Sequence, residues 1–68
     1  MDDNTRMDIR RLLKTFGVKA DEMIITHLAK NPDVQTLHLR VTLEDLTDYG
    51  ENRPEEPLSF EVQGEVKR

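Results

Sequence analysis

Apolar residues recur along this chain first with a helical period and then with a strand period. Ile9, Leu12, Leu13 and Phe16 fall at i, i+3, i+4 and i+7, the spacing that lines one face of an α-helix. Thr5 or Asn4 can cap its start, with Asp8 as the capping-box acid and Asp2 and Asp3 near the positive end of the helix. Gly17 suits the left-handed residue that closes a helix, so a first helix is predicted over about 5–16. After Val18-Lys19, a second helix over about 20–30 places Ala20, Met23, Ile24, His27 and Leu28 on or beside one face. Asp21 and Glu22 in its first turn and Lys30 in its last match the helix dipole, and Asn31-Pro32-Asp33 ends it.

The period then drops to two. Leu37, Leu39, Val41 and Leu43 alternate with His38, Arg40, Thr42 and Glu44, and Leu58, Phe60, Val62 and Val66 alternate with Ser59, Glu61, Gln63, Glu65 and Lys67. These are two strands, about 35–45 and 57–67, each with one apolar face. Val34 is a candidate first member, and Gly64, at an inward position, suggests a bulge or a close approach of a helix. Gly50, Pro54 and Pro57 make the intervening 46–56 a loop, while a competing reading turns Thr42–Tyr49 into a short helix capped by Thr42. The expected architecture is one small α+β domain over 1–68: two N-terminal helices, an αα-hairpin, packed on one face of a long antiparallel β-hairpin, in the order α-α-β-β.

Size sharpens this picture. A chain of 68 residues buries only about 60% of its unfolded surface, so packing alone leaves it marginal. No cysteine is present to supply a disulfide or a thiolate zinc site, which fits a reducing, cytoplasmic setting. The longest apolar run is Met23-Ile24-Ile25, too short to span a membrane, and the acidic start lacks the features of a signal peptide.

Charge is unevenly placed. The net charge is −4, yet residues 1–33 hold six Lys/Arg against six Asp/Glu, whereas 34–68 hold four against eight. From 44 to 56 there are six acidic residues against one basic, Arg53. The spacing matches no calcium loop, which needs closely set oxygens around a central glycine and a terminal bidentate acid. Asp45, Asp48, Tyr49, Glu51, Arg53, Glu55 and Glu56 are therefore read as candidate partner-binding residues rather than as metal ligands.

His38 is the one group with a carboxylate in prospective reach, Glu61 across the hairpin, but no motif supplies a nucleophile or an oxyanion site. No catalytic residue, cofactor or metal is expected, and the chain is read as a non-enzyme. The basic residues Arg6, Arg10, Arg11 and Lys14 form an alternative contact face on the first helix. Leu12-Leu13-Lys-Thr-Phe16-Gly17-Val18 followed by Ala20 to Leu28 resembles the turn of a helix-turn-helix, and a hairpin after it is similar to the wing of a winged-helix domain. That resemblance implies nucleic-acid binding through the basic face, but Asp21-Glu22 and the acidic loop repel phosphate.

The unpaired edges of a two-stranded sheet point elsewhere, because they template pairing with another chain. The leading expectation is a protein–protein interaction or assembly module, working by sheet-edge pairing with a protein partner or as a homodimer, and through its acidic loop.

Overall fold

The computed structural model describes residues 2–68 as one helix and one hairpin, in the order α-β-β. The helix, α1, spans Asp3–Lys30; the strands are β1, Thr36–Glu44, and β2, Ser59–Lys67. The chain divides into two units, Met1–Val34 and Gln35–Arg68.

The expected pair of helices, 5–16 and 20–30, is a single helix of 28 residues, about 42 Å long at 1.5 Å per residue. Gly17 does not close it; the only positive φ among the described residues belongs to Gly50. The physical reason is phase. Phe16, Ala20, Met23 and His27 continue the stripe begun by Ile9 and Leu13 without a slip, and residues 17–19 contain no proline. A mid-helix glycine costs only about 1 kcal/mol relative to alanine, which is too little to stop an otherwise continuous pattern.

Asp2, not Thr5 or Asn4, is the N-cap: its extended backbone leads into the helix, and its Oδ1 accepts the Thr5 N–H at 2.9 Å and the Thr5 hydroxyl at 3.0 Å. These bonds hold the Asp2 carboxyl below the usual carboxylate range. At the other end Asn31 donates its N–H to the Leu28 carbonyl at 3.2 Å and its side-chain amide to the His27 carbonyl at 2.8 Å. Pro32 follows, and a turn closes from Val34 N–H to the Asn31 carbonyl at 3.1 Å. The helix therefore stops where the sequence places its stop.

β1 and β2 pair antiparallel from Thr36↔Lys67 to Glu44↔Ser59 without interruption. One face carries the pairs Leu37/Val66, Leu39/Gly64, Val41/Val62 and Leu43/Phe60, and the other carries only polar residues. Gly64 marks neither a bulge nor a close approach: its register is regular, and a Cβ built there meets nothing within 4 Å. Val34 precedes the strand. Residues 42–44 are strand and 45–49 are irregular, so the short helix over 42–49 does not form.

Two further bonds set the polarity of the ladder. Asp45 N–H donates to the Leu58 carbonyl and Arg68 N–H to the Gln35 carbonyl, both at 3.1 Å. Because hydrogen-bonded and non-hydrogen-bonded pairs alternate, the apolar pairs 37/66, 39/64, 41/62 and 43/60 are the hydrogen-bonded ones. The intervening polar residues then turn their backbone N–H and C=O outward, to the sheet edges.

Neither unit has a core of its own. Among the described residues no side chain is buried, and a lone helix or a two-stranded sheet has no second layer within its unit to cover an apolar face.

Candidate functional site

The hairpin end concentrates the features that chemistry or recognition can use. Thr42 and Glu44 at the end of β1, Ser59 at the start of β2 and the loop between them form an open concavity of about 690 Å³. Of the candidate partner-binding residues, Asp45, Asp48, Tyr49 and Arg53 line it, whereas Glu51, Glu55 and Glu56 do not.

Two aspartates organise this loop. Asp45 accepts the Thr47 N–H through Oδ1 at 3.0 Å and the Tyr49 hydroxyl through Oδ2, and Asp48 Oδ1 accepts the Gly50 N–H at 2.9 Å. Each backbone bond is an Asx turn, the local geometry that a short acidic side chain offers to the N–H two residues on. A β-turn follows, closed by Asn52 N–H on the Tyr49 carbonyl at 3.1 Å. Gly50 stands at its second position with φ +61°, a backbone state that glycine adopts without steric cost.

The electrostatics follow from these bonds. Those from Thr47, then that from Tyr49, stabilise the charged form of Asp45 and hold its carboxyl below the usual range. The same carboxylate raises the Tyr49 phenol above its ordinary value, since the phenol must surrender a donated proton to ionise. Asp45 and Asp48 thus already spend lone pairs within the loop. No group of three or more His, Asp or Glu able to hold a metal ion occurs among the described residues.

On the polar face of the hairpin, Glu65 rather than Glu61 opposes His38, with His38 Nδ1 3.5 Å from Glu65 Oε1. Glu61 instead reaches diagonally to Arg40, 3.2 Å from Nε to Oε2, and Lys67 lies 3.6 Å from Glu65. Two of these contacts cross the strands, and the third runs along β2. The sequence carried their members but not their pairing.

Arg6, Arg10 and Lys14 follow one another at four-residue steps along one row of α1, and Arg11 pairs with Asp8 at 3.7 Å. The turn that the helix-turn-helix resemblance requires is absent, because residues 17–19 are helical. No described helix is long and apolar enough to cross a membrane.

Comparison of the chain with protein-family models, with curated proteins and with solved structures finds no match.

Proposed function

We propose that this protein is a non-enzymatic protein–protein interaction or assembly module that acts by sheet-edge pairing, with its acidic hairpin loop as an accessory contact. The observation that supports the reading is the register. With only two strands, both are edges, and the outward N–H and C=O groups belong to Thr36, His38, Arg40, Thr42 and Glu44 on β1 and to Ser59, Glu61, Gln63, Glu65 and Lys67 on β2. Unpaired backbone groups in this array accept an added strand at the cost of little rearrangement.

The two edges differ. β2 carries Glu61, Glu65 and Lys67 along its outward-bonding positions, the charged residues that discourage strand addition, and Pro54 and Pro57 precede it. β1 offers Thr36 and Thr42, a β-branched type suited to a pairing edge, and carries two charged residues at its outward-bonding positions, Arg40 and Glu44, against three on β2. β1 is the edge that pairs, either with β1 of a second copy to complete a four-stranded sheet or with a strand of another protein. The proposal keeps the chain in the cytoplasm, a reducing setting compatible with its cysteine-free sequence.

Proline separates edge pairing from hairpin folding. Thr42→Pro removes an outward N–H and spares the ladder, whereas Val41→Pro removes a bond to β2. The expected result is that Thr42→Pro keeps the β-sheet circular dichroism of the parent while losing edge-dependent assembly. Protection of the β1 edge amides from hydrogen exchange, rising with protein or partner concentration in the parent only, is the corresponding signature. Association unchanged in both Thr42→Pro and Gln63→Pro rules the edge mechanism out.

A further inference from the structure

Continuity of α1 creates a surface that two separate helices lack. Ile9, Leu13, Phe16, Ala20, Met23 and His27 follow at steps of 4, 3, 4, 3 and 4. This is the spacing of a coiled-coil seam. We infer that α1 pairs antiparallel with α1 of a second copy of this chain, in a register that sets Phe16 against Ala20, Leu13 against Met23 and Ile9 against His27.

Side-chain size selects that arrangement. About a two-fold axis near residue 18, every layer of the antiparallel pair joins unlike residues, and the largest, Phe16, meets the smallest, Ala20. A parallel pair stacks Phe16 on Phe16 and Ala20 on Ala20, crowding one layer and leaving a void in the next, and each defect is costly in a packed seam.

Charge selects it too. Between Asp3 and Gly17 the helix holds Arg6, Arg10, Arg11 and Lys14 against Asp3 and Asp8, whereas Lys19 and Lys30 balance Asp21 and Glu22 in the remainder. Parallel pairing lays the basic half on its own copy. Antiparallel pairing sets the basic half level with the neutral half of the second copy, with Lys14 level with Glu22 and Arg6 level with Lys30, and opposes the two helix dipoles.

The area suffices. Ile9, Leu13, Phe16 and Met23 of the seam and Leu12 beside it are 46 to 64% exposed, and full burial of on the order of 100 Å² on each brings the interface to about 1,000 Å² over both copies, the size at which specific association begins. The surface is distinct from the β1 edge, so the two can be lost separately.

The test uses the full chain, which has no cysteine of its own. Leu13→Cys protein and Met23→Cys protein are mixed in equal amounts in a glutathione redox buffer, and the disulfide species are separated by mass. Antiparallel pairing gives mainly the mixed 13–23 disulfide. Predominance of 13–13 and 23–23 disulfides, or a statistical mixture, overturns the inference. In parallel, sedimentation equilibrium of the parent is expected to show a dimer, which Phe16→Glu weakens by about a hundredfold or more and Thr15→Gln, an exposed change off the seam, leaves nearly unchanged. A parent that stays monomeric at hundreds of micromolar overturns the inference, as does a dimer lost in Thr42→Pro but retained in Phe16→Glu, which leaves the edge mechanism standing alone.

Discussion

Asp45 and Tyr49 are joined by a hydrogen bond from the phenol to the carboxylate, which folds the first turn of the loop back towards the end of β1. Because Asp45 also holds the Thr47 N–H, one carboxylate organises the whole entry to the loop. Its ionisation therefore contributes to the order of residues 45–49. With a folded-state pKa depressed below the unfolded value, Asp45 contributes stability that is fully present above the ordinary carboxylate range and is lost as pH falls through its folded pKa. Amide exchange at Thr47 is expected to accelerate, relative to the intrinsic rate, on acidification below about pH 4. Asp45→Ala, which removes both acceptor oxygens, should show that loosened state at neutral pH.

The partner group titrates in the opposite range. Tyr49 is held above its ordinary value by Asp45, so absorbance titration of the phenolate should give a midpoint above about 10 in the parent and one nearer 10 in Asp45→Asn. Since this is the only tyrosine in the chain, the measurement needs no deconvolution.

Gly17 lies inside a helix with negative φ, and a Cβ added there meets nothing within 4 Å. Gly17→Ala should raise thermal stability of the helix by about 0.5–1 kcal/mol, because it restricts the unfolded chain and adds helix propensity without a clash. Helical ellipticity followed against temperature checks it. A residue that truly closed the helix would respond with a loss.

Gly64 stands opposite Leu39 on the apolar face of the hairpin and is equally open. Gly64→Val should stabilise the hairpin by about 0.5–1 kcal/mol through β propensity and a cross-strand contact with Leu39. Hydrogen exchange of the Leu39 and Val41 amides is the direct readout, with slower exchange expected in the variant.

Arg40 and Glu61 meet diagonally across the strands, with both side chains more than half exposed. A double-mutant cycle should give a coupling of about 0.2–1 kcal/mol, falling towards zero in about 1 M salt, where screening acts over roughly 3 Å. Urea midpoints of the parent, the two single alanine variants and the double variant supply the cycle.

Much of this molecule is legible in its sequence. The strand bounds came within two residues, because alternation of Leu37, Leu39, Val41 and Leu43 with polar neighbours admits one pleat and one apolar face. The helix end at Asn31-Pro32 was equally clear, since proline excludes the helical region for the residue before it. The loop aspartates were partly legible. Composition alone ranks Asp45 and Asp48 with Glu51, Glu55 and Glu56, but only the shorter side chain readily reaches the N–H two residues on, so the Asp-x-Thr and Asp-x-Gly spacings were the available signal.

What the sequence by itself determined, then, was local: periodicity, stops and the identity of each face. The tertiary structure decided whether Gly17 divides α1 and which carboxylate meets His38. Gly17 is decided by a balance, a cost of about 1 kcal/mol against the continuity of a stripe that extends on both sides of it. The partner of His38 is decided by register, which depends on how the loop over 45–58 closes, and closure is a property of the folded chain that no single residue encodes.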